Sequence, residues 1–217
     1  MKPIKKLLRS LKSLAGPFPD FHLDDLPDNP SELFVQWFNA AVEEGVSEPH
    51  AMTLSTVDEQ GAPDARVLIL KDVTCTGWYF ATSSASQKGE QLKRNSKVAL
   101  TFYWTEMGRQ VRIRGSASIV TAEESSKDFL ERSIQARAIA SIGKQSEKLI
   151  NLKDLEKELS DKQKLIKESS QYVSPNWKLF VVVADEVEFW QGDPERKHKR
   201  VLYQRIGEIW EYQLLWP

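Results

Sequence analysis

The chain has 217 residues, 41% of them hydrophobic and 28% charged, which is ample for one sizeable buried core. Thirty basic against thirty-one acidic side chains give a formal net charge of −1, which excludes recruitment to nucleic acid or to an anionic membrane by a bulk field, so any anion site has to be local. A single cysteine, Cys75, excludes an intramolecular disulfide framework and points to a reducing, cytoplasmic setting, while three scattered histidines, His22, His50 and His198, suggest no metal cluster.

The opening "MKPIKKLLRSLKSL" is basic, with leucines at helical spacing, and lacks the continuous apolar region of a signal peptide; no apolar run in the chain reaches the length of a membrane span. With the Pro- and Asp-rich "GPFPDFHLDDLPDNP" it reads as an N-terminal arm and linker over residues 1–30, ahead of a single domain over residues 31–217. A helix follows, capped by Asn29, with Pro30 in its first turn, Glu32 completing a capping box and Gly45 at its end; Phe34, Trp37, Phe38 and Ala41 form its buried stripe. "AMTLSTV", "ARVLILKDV" and "WYFATSS", parted by turn signals, read as an antiparallel meander. "SASQKGEQLKRN" reads as a short helix, "KVALTFYW" and "RQVRIRGSASIV" as two longer strands, and "TAEESSKDFLERSIQARAIASI" as one helix entered through Thr121. "EKLINLKDLEKELSDKQKLIKESS" is an amphipathic surface helix, and "NWKLFVVVADEVEFWQ", "KRVLYQRI" and "EIWEYQLLWP" return to strands, with Gly207 at the last turn. The sum is mainly β with flanking helices, a Greek-key or split barrel.

Gly-x-Gly-x-x-Gly, P-loop and Gly-x-Ser-x-Gly motifs are missing, so a bound phosphate has to be held by discrete basic side chains. Arg66 and Lys71 bracket the apolar "VLIL", Lys88 lies in the first turn of the short helix, and Arg132 falls within the predicted helix after Thr121. Five positions separate Arg66 from Lys71, so strand alternation puts them on opposite faces, and one strand could serve two neighbouring anion sites. Gln110, Gln145, Ser146 and Trp190 add neutral donors and a flat apolar surface, a mixture that suits a planar heteroaromatic ring with a phosphate tail. The run "FWQGDPERKHKR" gathers five basic residues, Arg196 to Arg200, beside Trp190.

Taken together, "EPHAMTLSTV", "RVLILK", "FATSSASQK", "RQVRIRG", "KQS" and "FWQGDPERKHKR" resemble the pyridoxamine 5′-phosphate oxidase family over residues 34–217. The resemblance implies an FMN-binding split barrel that works as a homodimer. It places cofactor contacts on Arg66, Val67, Leu68, Ile69, Leu70 and Lys71, on Ala81 and Thr82, and on Gln87 and Lys88. Further ones fall on Gln110, Gln145, Ser146, Trp190 and Arg200. Gln87 departs from the arginine usual in the family, which implies a weaker phosphate contact there. Lys71 and Arg132 would hold the substrate phosphate, and Arg196 and His198 would be the catalytic pair beside the pyridine ring, with Lys197 and Lys199 alternating outward.

The implied reaction is oxidation of pyridoxine or pyridoxamine 5′-phosphate to pyridoxal 5′-phosphate, with hydride transfer from C4′ to the flavin and oxygen reduced to hydrogen peroxide. Two departures bear on the substrate. The family's phosphate-binding tyrosine and serine fall here at Asp128 and Ala136, and a carboxylate beside a phosphate dianion is repulsive. "FYWTEMGRQ" and "ERSIQARAIASIGKQS" also resemble the flavin oxidases of phenazine biosynthesis, which leaves two alternatives open: oxidation of a dihydrophenazine-type aromatic acid, or a non-catalytic flavin-binding protein.

Overall fold

The computed structural model describes residues 4–217; the first three residues of the predicted arm lie outside the described residues. The remainder of the arm begins with a short exposed helix, α1 (Ile4–Ser10). Helix α2 (Pro30–Glu43) starts where Asn29 accepts hydrogen bonds from the Ser31 N–H and hydroxyl, both at 2.9 Å, and ends before Gly45 at φ +71°. The cap is thus a simple Asn cap to Ser31 rather than the expected box with Glu32. Leu33 joins Phe34, Trp37 and Ala41 as the buried face, while Phe38 is half-buried.

Strands β1 (Ala51–Val57), β2 (Pro63–Thr74) and β3 (Gly77–Ser83) form the predicted meander, and α3 (Gln87–Arg94) carries the chain to β4 (Lys97–Trp104) beside β1. The spatial order β3-β2-β1-β4 is a Greek key. β5 (Arg109–Ile119) and β6 (Trp177–Gln191) follow, and pairing of β6 with β3 closes a six-strand antiparallel barrel. β7 (Lys199–Ile206) and β8 (Ile209–Leu214) extend the sheet from β6.

One expected helix is two. α4 (Ala122–Leu130) opens with a reciprocal capping box between Thr121 and Glu124, and the chain then breaks so that Ser133 caps α5 (Ile134–Ser141) by accepting from the Ala136 N–H at 3.2 Å. Ser133 wins because its hydroxyl offers the backbone an alternative to continued helix. Arg132 therefore lies in the break, not within a helix. α6 (Leu152–Glu168) is a surface helix whose fully buried residue is Ile166.

The chain forms two compact units. The first takes the chain up to Pro49, Thr101–Ile113 and Glu186–Pro217. Its core is aromatic: Trp37 meets Phe21 at 4.8 Å and Phe189 at 5.2 Å, and Phe34 meets Phe102 at 4.9 Å. The second takes His50–Leu100 and Arg114–Asp185. There Phe80 stacks on Phe180 at 5.2 Å among Met52, Leu54 and Leu100, and a side chain at Gly115 would start 2.1 Å from the Val183 carbonyl, so only glycine lets those backbones approach.

Candidate functional site

In the second unit, β2 carries basic residues on both faces, as alternation predicts. Arg66 turns to one side, where it pairs with Asp64, donates to Thr56 Oγ1 at 2.6 Å and reaches Gln91 Oε1 at 3.2 Å. Next to this group, the Lys88 ammonium is almost fully buried, 5% exposed, and donates to the Ser86 hydroxyl at 3.2 Å. Lys88 makes no ion pair among the described residues. Burial first, and then the neighbouring Arg66, push its pKa below the usual lysine value, against a smaller pull upward from Asp64. The position is fixed by α3: Ser86 caps it, and a Cβ at Gly89 would meet the Ser83 and Ser84 carbonyls at 2.5 Å, so glycine alone lets this helix sit so close to the end of β3.

The opposite face of β2, with Val67, Ile69 and Lys71, borders a cavity of about 740 Å³ that Leu68 between them also reaches. Val67, Leu68, Ile69 and Lys71 form one wall, Ala81 and Thr82 of β3 another, and the rest comes from Arg132 in the α4–α5 break, Ala136 and Ile139 on α5, and Gln145 in the loop beyond. A bulge between Leu70 and Asp72 re-aims Lys71, whose Nζ lies 3.1 Å from Asp128 Oδ1. Asp128 Oδ2 accepts from Trp177 Nε1 at 2.8 Å, and the Arg132 guanidinium lies 4.0 Å over the Trp177 ring. Arg132 gives one hydrogen bond to the Ala136 carbonyl, while its buried Nε has no acceptor among the described residues. Burial lowers the Arg132 pKa and Asp128 partly restores it. Of the other expected contacts, Gln87 is exposed, Leu70 is half-buried off the cavity wall, and Ser146 sits exposed in the loop at φ +75°.

The first unit holds the C-terminal basic run, and the run is not one strand. β7 begins only at Lys199; residues 193–198 form a turn tied by Asp193, whose carboxylate accepts from the Glu195 and Lys197 N–H groups at 2.7 and 3.2 Å. Strict alternation therefore does not apply to Arg196, Lys197 and His198. Arg196 is exposed at φ +70°, an uncommon conformation for a side-chain-bearing residue. His198 packs on Trp190 at 4.8 Å and accepts at Nδ1 from the Asp193 N–H at 3.1 Å. Lys199 does not point outward freely: its Nζ donates to the Phe21 carbonyl at 2.9 Å. Arg200, paired in register with Trp190, is gripped by the buried Glu188 carboxylate at 2.7 and 2.8 Å and by the Trp216 carbonyl at 2.9 Å. Gln110 is half-buried on β5.

Sequence reasoning missed Glu188 and Trp177. Both stand two residues or fewer from strand positions already singled out or at a strand's start, but nothing in one sequence marks a carboxylate or an indole as the partner of a distant arginine.

A closed antiparallel barrel whose second strand serves a buried lysine and its neighbouring arginine on one face and a largely apolar cavity on the other defines a small-ligand-binding barrel protein. Residues 38–191 match the family described as pyridoxamine 5′-phosphate oxidase, and residues 177–217 match the pyridoxine 5′-phosphate oxidase C-terminal dimerisation region. The chain belongs to the pyridoxamine 5′-phosphate oxidase family. Among its relatives, pyridoxine/pyridoxamine 5′-phosphate oxidase of Legionella pneumophila (strain Lens) is 36% identical over 96% of this chain and 98% of that protein. The same-named protein of Aliivibrio fischeri (strain MJ11) is 41% identical over 89% of this chain and 92% of its own length. Among solved structures, PhzG from Burkholderia lata 383 in complex with tetrahydrophenazine-1-carboxylic acid superposes with a TM-score of 0.88 at 28% identity, over 93% of this chain and all of that one.

Proposed function

We propose that this protein is an FMN-dependent oxidase that converts pyridoxine or pyridoxamine 5′-phosphate to pyridoxal 5′-phosphate, with oxygen as electron acceptor, working as a cytoplasmic homodimer. The observation that carries the reading is Lys88, a nearly buried cation held by a neutral hydroxyl beside Arg66 in a chain of this family. Burying an ammonium without a counter-charge is costly, and the phosphate of FMN is a ligand that offsets the cost. The match of residues 177–217 to a dimerisation region supports the homodimer, and the lone cysteine fits a reducing compartment.

In this reading Lys88 and Arg66 hold the flavin phosphate, while the apolar wall of Val67 and Ile69 gives a flat surface for ring systems. FMN, when bound, supplies the acceptor for the hydride lost by the substrate carbon and passes the electrons to oxygen. Lys71 and Arg132 grip the substrate's anionic tail, and Arg196 and His198 orient its ring. Because His198 accepts from Asp193 at Nδ1, the neutral ring carries its proton on Nε2. His198 therefore offers the substrate a hydrogen-bond donor, not a base. Glu188 keeps the Arg200 fork in one orientation.

The test is the visible spectrum of the purified protein under anaerobic conditions. Addition of pyridoxine 5′-phosphate should bleach the flavin band, and air should restore it. A flavin band that the vitamer leaves unchanged would overturn the oxidase assignment. A second reading, oxidation of an aromatic carboxylic acid, is favoured by one observation, the Asp128 carboxylate on Lys71.

A further inference from the structure

Two cations in the cavity are available to a substrate's anionic group, Lys71 and Arg132, and a carboxylate stands with them. Asp128 sits near the end of α4 with its side chain only 12% exposed, and both its oxygens are engaged, Oδ1 by Lys71 at 3.1 Å and Oδ2 by Trp177 at 2.8 Å. It also supports the charge of Arg132 against burial. The cluster thus keeps one net positive charge rather than two. Groups at the cavity mouth add no surplus: Lys144 is paired with Glu158 at 2.8 Å, and the lining there carries Glu147 and Asp154 as well as Lys148. Ala136, where the chain passes the cluster, offers no side-chain donor, and Ile139 and Leu155 keep the remaining wall apolar.

We propose that Asp128 is a specificity-determining residue of this pocket: it competes with the substrate's anionic group for Lys71, and so shifts preference from a dianionic phosphate ester towards a flat aromatic acid carrying a single negative charge. The inference rests on the reading of Lys71 and Arg132 as the substrate's anion-binding pair. The physical reason is the order of the charges. A dianion is repelled by Asp128 twice as strongly as a monoanion at the same place, and to reach Lys71 either ligand has to displace an ion pair already made. A carboxylate matches the single residual charge, and its planar pair of oxygens suits the Arg132 fork.

The experiment measures equilibrium affinity on the FMN-loaded protein, from the perturbation of the flavin absorption band, for pyridoxal 5′-phosphate and for phenazine-1-carboxylate. Wild type is compared with Asp128→Asn, which keeps the acceptor for Trp177, and with Asp128→Ser, which guards against an effect of asparagine packing. Each ligand is its own reference, so ring size cancels. Loss of the charge should tighten the phosphate ligand on the order of 100-fold and the carboxylate about tenfold, so that their ratio moves by about a factor of ten. Equal gains for both ligands, or no gain for the phosphate ligand, would overturn the proposal. Binding is read without turnover, so the two readings fail separately. A protein whose flavin no substrate reduces, but whose affinities follow this pattern, loses the oxidase assignment alone; normal turnover with unchanged affinities loses only the role of Asp128.

Discussion

The two faces of β2 treat a lysine in opposite ways. Lys88 is 5% exposed and its ammonium meets only the Ser86 hydroxyl and the repulsive field of Arg66, offset in part by Asp64. Lys71, whose side chain is 29% exposed, has a carboxylate 3.1 Å away. The deeper cation is thus the less neutralised one, the reverse of what burial alone favours. The difference teaches where an anion gains most: beside Lys88 it relieves a standing electrostatic cost, whereas beside Lys71 it has to compete with a charge of the protein's own.

The strongest way to break this comparison is Lys88→Met. Methionine fills a similar space without charge, so the flavin phosphate loses a buried partner, and affinity for FMN should fall at least ~100-fold, the ~3 kcal/mol of a charge-assisted contact. The flavin-free variant should melt no lower than wild type, because an uncompensated buried cation has been removed. Fluorescence titration with FMN, paired with thermal melting, reads both. Retention of near-wild-type affinity would show that Lys88 serves the fold and not the cofactor.

Arg200→Ala and Arg196→Ala extend the comparison to the first unit, where Arg200 is tied to buried Glu188 and Arg196 is exposed on a turn. Among the described residues, removing Arg200 leaves Glu188 only the Arg112 guanidinium at 3.4 Å as a cationic partner, so this variant should both loosen the flavin and lose about 2 kcal/mol of stability. Arg196→Ala should keep flavin content and melting temperature and lose turnover, on the order of 100-fold. Comparable flavin loss in both would show that the two arginines do not divide cofactor from substrate.

A smaller effect comes from pH. The pKa of Lys88 lies below the ordinary 10.5, so its positive charge is lost earlier as pH rises than an exposed lysine's would be. Phosphate binding needs that charge. Affinity for FMN should therefore decline through the alkaline range, by no more than about tenfold per pH unit, and Lys88→Arg should flatten the decline because a guanidinium stays protonated. In the flavin-free protein the sign is opposite: the folded chain binds fewer protons than the unfolded one between the depressed and the ordinary value, so stability rises with pH across that window. A wild-type affinity as flat as that of Lys88→Arg would show that Lys88 does not contact the phosphate.

What a single sequence reveals and what it hides divides along the same line. The meander, the closing strands and the opposite facing of Arg66 and Lys71 were all legible, because alternation and turn residues are local signals. Val67, Leu68, Ile69, Ala81 and Thr82, which the motif resemblance alone singled out as cofactor contacts, all line the cavity. The break at Ser133 was hidden because apolar periodicity runs on through "ERSIQARA", and only a hydroxyl's preference for capping separates the two helices. The turn over Arg196 to His198 was hidden because a basic run after a strand-like segment looks the same whether Asp193 ties it back or not. The meeting of Asp128 with Lys71 and Trp177 joins three elements far apart in the chain, and no local pattern announces it.

The finest cut separates charge from shape at this meeting, and Trp177→Phe makes it. Phenylalanine removes the Nε1–H that holds Asp128 Oδ2 at 2.8 Å and weakens the face on which Arg132 lies at 4.0 Å, yet it leaves the Asp128 charge and its pairing with Lys71 in place. Stability should drop by about 1 kcal/mol, the sum of one net hydrogen bond and a poorer cation–π surface against a similar apolar body. The relative affinity for pyridoxal 5′-phosphate and phenazine-1-carboxylate should hardly move, because both ligands still face the same net charge. If Trp177→Phe shifted that ratio as far as Asp128→Asn does, the preference would follow from how the side chains pack and not from the carboxylate. If the ratio holds while the melting temperature falls, the indole is the support and the charge of Asp128 is what the substrate meets.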